Sequence, residues 1–176
     1  GHGALEQIVP YPGRRKCLMA KRKTIRTIPQ ERTPIDHQPP KKRIKNFAEV
    51  ALGYGLKNAL NESERCLMCA DMPCVAGCPV SIDIPGFIGK ITENDYPGAF
   101  GILSDSNLLP AICGRVCPQE DQCEGVCTVG DTLEPVAIGR LERWIGDLAI
   151  KGGWSNIPYI EANGFRVRII GSGPAG

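Results

Sequence analysis

Eight cysteines fall into two tight blocks, and no other feature constrains the chain as strongly. The first block is Cys66-x2-Cys69-x4-Cys74-x3-Cys78-Pro79 and the second is Cys113-x3-Cys117-Pro118-x5-Cys123-x3-Cys127, while Cys17 stands apart near the start. Thiols this dense either pair with one another or bind metal. Disulfides fit poorly: the first thirty residues hold no apolar signal region, the total of nine is odd, and the spacings are too close for unstrained bridges within a block. Two structural zinc sites could be assembled from eight thiolates. Zinc ribbons, however, use paired C-x2-C knuckles, and only Cys66/Cys69 has that form. Iron–sulfur ligation fits best. Bacterial ferredoxins use C-x2-C-x2-C-x3-C-P, in which the last cysteine serves the other cluster. The first block keeps the C-x2-C opening and the x3-C-P ending with two residues added between them. The prolines after Cys78 and Cys117 bend the chain and offer no competing backbone donor. Two such blocks predict two [4Fe–4S] clusters, and a count of eight thiolates makes Cys113 a ligand.

The rest of the 176-residue chain divides by charge and pattern. Residues 1–46 carry twelve Lys/Arg against three Asp/Glu, whereas residues 47–176 carry nine against sixteen, so a basic arm precedes an acidic body. Gly1-His2-Gly3 reads as a tag remnant, and Met19 is a candidate native start. Six prolines and little apolar periodicity over residues 10–46 predict an extended or disordered arm across residues 1–45. From Asn46 the pattern turns helical. Asn46 with Glu49 reads as a capping box ahead of Phe47, Val50, Ala51 and Tyr54. A second helix is predicted after Asp83, with Pro85 in its first turn and Phe87, Ile88 and Ile91 inward. A third covers Tyr96–Leu103, and a fourth runs from about Val136 to Ile150 with Ile138, Leu141, Ile145 and Leu148 as its stripe, ending at Gly152-Gly153. Residues 46–155 therefore read as an all-α domain with loop-borne cysteines. No apolar run is long enough to span a bilayer. Aromatic residues make up 6%, too few for a stacking nucleic-acid platform. The absence of a signal region points to the cytoplasm.

The last stretch, residues 156–176, reads as a linker and the opening of another unit. Arg166-Val167-Arg168-Ile169-Ile170 is a short β-type run followed by Gly171-Ser172-Gly173-Pro174-Ala175-Gly176. A G-x-G-x-x-G directly after a strand opens a dinucleotide-binding Rossmann unit, with Gly171, Gly173 and Gly176 the cofactor-binding glycines. The helix whose N-terminus would hold the pyrophosphate lies beyond Gly176, so the unit is read as truncated.

Three runs carry a resemblance: Arg43-Ile44-Lys45-Asn46-Phe47-Ala48-Glu49-Val50, Ala70-Asp71-Met72-Pro73-Cys74 and Gly139-Arg140-Leu141-Glu142-Arg143. Together with the cysteine pattern, they make residues 41–176 similar to the N-terminal iron–sulfur domain of the glutamate synthase small (beta) subunit. Similar domains occur in dihydropyrimidine dehydrogenase and in ferredoxin:NADP oxidoreductases of the bifurcating type. The resemblance implies an α-helical ferredoxin fold with two [4Fe–4S] clusters, ahead of FAD- and NADPH-binding domains. By motif, Cys66, Cys69, Cys74 and Cys127 would hold one cluster. Cys78, Cys117 and Cys123 would hold the other, with Glu142 standing where dihydropyrimidine dehydrogenase has a glutamine ligand and Cys113 left unligated.

Read from the residues alone, Glu142 lies beside the apolar stripe of the last helix, where a carboxylate needs a partner. That partner is either iron or an arginine, Arg140 or Arg143. Arg65 and Arg115 adjoin ligand positions and could offset cluster charge. The implied function is electron transfer in a glutamate synthase-like, NADPH- and FAD-dependent oxidoreductase, passing electrons through the two clusters to an FMN-containing large subunit. No residue reads as a proton-transferring catalyst. The alternative is a zinc-stabilised helical interaction module without redox activity.

Overall fold

The computed structural model describes residues 23–156 and 161–173. Cys17, Met19, the tag-like start and Gly176 lie outside the described residues. Among the described residues seven α-helices follow one another: α1 (Pro40–Arg43), α2 (Leu56–Ser63), α3 (Pro73–Ala76), α4 (Ile84–Thr92), α5 (Tyr96–Ser104), α6 (Pro110–Val116) and α7 (Ile138–Gly152). Among the described residues there is no strand beyond one isolated bridge between His37 and Ala51. The all-α class predicted from the sequence is what these residues adopt.

The helices start where local chemistry starts them. An Asp-x-Pro-Gly sequence occurs twice, at Asp83 and Asp95. Each aspartate accepts a hydrogen bond at 2.9 Å from the glycine amide three residues on, with proline in the first turn. α4 buries Phe87, Ile88 and Ile91 as predicted, and Ile84 as well, packing on α2 and α5. Tyr96 meets the Trp144 ring edge-on at 5.3 Å, tying α5 to α7. Gly153 closes α7 at φ 63° in the left-handed region, which favours glycine. The tightest helix pair is α6 against α7. A Cβ on Gly114 would stand 2.4 Å from the Arg143 amide nitrogen, and one on Gly146 would stand 2.4 Å from that of Ala111. Glycine at both points lets the two backbones touch, and this holds the second cysteine block on α7.

Two expectations need correction. Residues 47–54 are not helical: Phe47 is fully exposed, Gly53 takes φ 79°, and Gln38 and Leu52 amides donate to Val50 and Asp36 carbonyls. Glu49 is not half of a capping box. Its carboxylate accepts from Arg115 and Arg143, sequence-distant cations with more to offer than a backbone amide. The described part of the arm is extended but packed. Ile28, Thr33 and Gln38 are buried, because this stretch closes over α2 and the start of α7 and supplies their polar partners. The β-type run at residues 166–170 has no ladder partner among the described residues. Val167, Ile169 and Ile170 are exposed, and no described segment lies beside them to complete a ladder.

Beneath the arm lies a buried ion pair. Glu62 and Arg65, both wholly buried, bond at 2.8 Å. Glu62 also accepts from the amides of Thr33 (2.7 Å) and Ala137 (2.8 Å), while Arg65 donates to the carbonyls of Pro29, Glu134 and Pro135. Every charge here has hydrogen-bonded partners, the condition under which such a pair can be buried. It joins the arm, the end of α2 and the loop before α7, one residue from Cys66.

Candidate metal centres

All eight described cysteines are free thiols. Four of them, Cys66, Cys69, Cys74 and Cys127, line one pocket, the first three from the first block and the fourth from the end of the second. Its walls are apolar, formed by Ile84 and Ile88 of α4 with Val129, Val136 and Ile138. The loop that presents these thiols is bent through positive φ at two non-glycine residues, Met68 (53°) and Met72 (43°). Such residues persist only where surrounding contacts over-determine them, and they concentrate at functional sites. Cys66 Sγ donates to Met68 Sδ at 3.9 Å and Cys69 Sγ to Thr128 Oγ1 at 3.5 Å. Burial first, and then the neighbouring thiols, push the Cys66 thiol up to about 11 and the Cys74 thiol up to about 12. Ligation at this pocket must therefore expel protons.

A second gathering brings Cys78, just after α3, near Cys117 and Cys123 of the second block and Glu142 of α7. Burial raises the Cys117 thiol to about 11, and the charges of Cys113, Glu142 and Cys78 add to the effect. Burial likewise raises Cys123 to about 12, with Glu124, Cys78 and Glu142 in range. Cys78, Cys117, Cys123, Glu142 and Cys113 thus share one neighbourhood. Glu142 is 6% exposed. Burial lifts its carboxyl to about 7, opposed by a hydrogen bond from Asn107 Nδ2 to Oε1 at 2.7 Å. Neither arginine expected as an alternative partner reaches it. Arg140 donates to the Thr33 carbonyl and Arg143 to Glu49 and the Ala51 carbonyl. Arg115, expected as a charge offset, is engaged by Glu49 and Asp147 at the surface.

The donor chemistry of both sites, thiols with one carboxylate and no imidazole, suits iron–sulfur ligation. Among the described residues, no three Cys, His, Asp or Glu side chains close in tightly enough to hold a single metal ion. Four thiolates on one zinc would crowd within about 4 Å of one another, given bonds near 2.3 Å.

A family model described as dihydropyrimidine dehydrogenase domain II, 4Fe-4S cluster, matches residues 43–154, a span that holds all eight cysteines and Glu142. The chain belongs to this family. It is an iron–sulfur electron-transfer domain of the oxidoreductase type. The small chain of the NADPH glutamate synthase of Escherichia coli (strain K12) is 38% identical over 78% of this chain and 30% of its own length. The dihydropyrimidine dehydrogenase subunit PreT of the same organism, NAD-dependent by name, is 40% identical over 67% of this chain and 29% of its own. The NADH glutamate synthase of Saccharomyces cerevisiae is 38% identical over 80% of this chain and 7% of its own. The chain thus spans about a third or less of the relatives it matches.

Within this 4Fe-4S domain, Gly171 and Gly173 lie far along an exposed tail, and no described segment forms a nucleotide site with them. Among the described residues, no helix is long and apolar enough to cross a membrane. Three polar residues at the sites escaped the sequence reading: Asn107, Glu62 and Glu124. Glu124 adjoins Cys123, accepts from the Gly139 amide at 3.1 Å, and pairs with Arg32 of the arm. An acidic residue next to a ligand position is the only signal the sequence offered for it. Asn107 had a weaker one, an Asx-type residue shortly before the Pro110 that opens α6.

Proposed function

We propose that this domain carries two [4Fe–4S] clusters, one held by Cys66, Cys69, Cys74 and Cys127 and the other by Cys78, Cys117, Cys123 and Glu142. The observation that supports this most is the four-thiol apolar pocket drawn from both cysteine blocks. Clusters bound there supply one-electron redox chemistry. The protein's part is to provide thiolates, exclude water with Ile84, Ile88 and Val136, and fix the spacing of the two sites. Cys74 and Cys78 are four residues apart across α3, and so are Cys123 and Cys127. Four residues span at most about 14 Å even when extended, so the two sites are near neighbours. Such a pair serves as a relay.

In the longer protein the relay carries electrons from FAD, reduced by NADPH, to an FMN-containing large subunit or equivalent acceptor in the cytoplasm. Gly171, Gly173 and Gly176 open the FAD-binding unit. No side chain of this segment acts as a catalyst; the chemistry belongs to the cofactors. The basis for naming glutamate synthase chemistry is the similarity to its small chain.

Anaerobic reconstitution with iron and sulfide tests the reading. The expected product is brown, with about eight iron and eight sulfide per chain and two centres on reduction. A colourless product that takes up zinc and rejects iron sinks it in favour of the interaction module. Glu142→Ala should selectively disturb one centre, since it removes a ligand, while Cys113→Ser should leave iron content unchanged. If Cys113→Ser loses a cluster and Glu142→Ala keeps both, the eighth ligand is Cys113.

A further inference from the structure

The two candidates for the last ligand of the second centre, Glu142 and Cys113, are held by one side chain. Asn107 is 8% exposed, in the loop between α5 and α6. Its Nδ2 donates to Glu142 Oε1 at 2.7 Å, and its Oδ1 accepts from the Leu109 amide at 2.9 Å and from Cys113 Sγ at 3.5 Å. A backbone amide can only donate, so the Leu109 bond fixes which end of the Asn107 amide is oxygen. With the oxygen committed to Leu109 and Cys113, the nitrogen faces Glu142. We infer that Asn107 is a positioning residue that selects Glu142 over Cys113 at the second centre. This rests on the reading that Glu142 completes that centre.

Asn107 does two things at once. Donation to Oε1 fixes the plane of the Glu142 carboxylate and leaves Oε2 as the oxygen for iron. The contact from Cys113 Sγ to Oδ1 at 3.5 Å engages that sulfur with Asn107. Both effects come from an uncharged amide, whose own charge does not change with pH. The site would otherwise present a soft thiolate beside a harder carboxylate, and iron–sulfur clusters favour the thiolate.

The experiment uses the reconstituted chain carrying Asn107→Ala or Asn107→Asp, alone and combined with Cys113→Ser or Glu142→Ala. Readouts are chelator-resistant iron, the reduced-state EPR spectrum and the midpoint potential of each centre. Asn107→Ala should lower retention of the second centre against chelator about 10-fold or more, as expected when a ligand loses its outer partner. Its spectrum and potential should shift while those of the first centre stay put. Adding Cys113→Ser should remove the second centre altogether, because no replacement thiol remains. Adding Asn107→Ala to Glu142→Ala should cause no further loss. Asn107→Asp keeps the acceptor for Leu109, and hence the turn, but not the donor; it should shift the spectrum and potential of the second centre and not those of the first. The inference is overturned if Asn107→Ala and Asn107→Asp both leave the second centre as it was. It is also overturned if the Asn107→Ala loss is undiminished in the Glu142→Ala background. A Glu142→Ala chain with an unchanged second centre defeats the ligand reading itself, whatever Asn107 does.

Discussion

Four thiols meet aliphatic walls at the first centre, while at the second three thiols meet a buried carboxylate, an amide and a fourth thiol. The first is built mainly by a loop, with strained backbone at Met68 and Met72 and the Glu62–Arg65 pair behind it. The second is built by helix contact, with α6 pressed on α7 at Gly114 and Gly146. A dry, all-thiol pocket offers little choice of ligand, so burial and loop conformation are its controls. A mixed site must choose between ligands and needs hydrogen bonds to do so. Ligand identity, hydrogen bonding and burial are the protein's levers on cluster potential, and the two sites use different ones.

The sharpest break of this comparison is Cys127→Ser. Cys127 sits in the same cysteine block as Cys123, yet it lines the pocket of Cys66, Cys69 and Cys74, the grouping the resemblance implies. Its loss should abolish the same EPR signal as Cys66→Ser and leave the signal that Cys123→Ser abolishes. About half the iron should go with it, and so should much of the folding free energy that metal supplies. If Cys127→Ser and Cys123→Ser remove the same signal, the cross-block assignment is wrong.

Next in size is Glu62→Ala, which strands the buried Arg65 guanidinium. Removing one partner of a buried pair costs about 3–5 kcal/mol, to be read by denaturant unfolding of the metal-free chain. Because Arg65 adjoins Cys66, the first centre should also become the more easily extracted of the two. Equal sensitivity of both centres to chelator would show that the pair supports the whole domain and not that site.

Gly114→Ala addresses the other side. A methyl group there has no room against the Arg143 backbone, so α6 must lift from α7 at a cost of about 1–3 kcal/mol. The second centre should shift in potential and EPR while the first does not. A matched shift in both would mean that the two sites are mechanically one.

The smallest effect belongs to Glu49, which ties the loop before α2 to α6 and α7. Its bond with Arg115, aided by the charge of Arg143, holds its carboxyl below the usual carboxylate range. A lowered folded-state value contributes stability above the ordinary pKa, and that contribution is lost as pH falls through the lowered one. Glu49→Gln should therefore lower the melting temperature slightly at pH 7, and the gap should close on acidification below about pH 4.5. Salt should narrow it too, since Glu49 is more than half exposed. A gap that persists at pH 3 would assign the effect to shape instead of charge.

How much was legible follows from the range of each interaction. The caps of α4 and α5 and the apolar stripe of α7 lie within three or four residues of what they act on, so they could be read directly. So could metal chemistry, since two dense cysteine blocks admit few other uses, and so could the oddity of a carboxylate beside the stripe at Glu142. The α2 and α6 helices were missed because α2 is short and mostly polar and α6 is shorter still, so neither offers enough turns of apolar stripe to read.

The sequence by itself determined the helical class, the metal chemistry and the position of the last helix, because those depend on neighbours in the chain. The tertiary structure decided which thiols share a pocket. It also decided that residues 24–38 pack instead of trailing free, that Glu49 serves Arg115 and Arg143, 66 and 94 residues away, and that Glu142 meets Asn107. A buried charge or thiol takes whatever partner the packed fold brings within hydrogen-bond reach. Across 35 residues, as between Asn107 and Glu142, chain spacing carries no information about that partner.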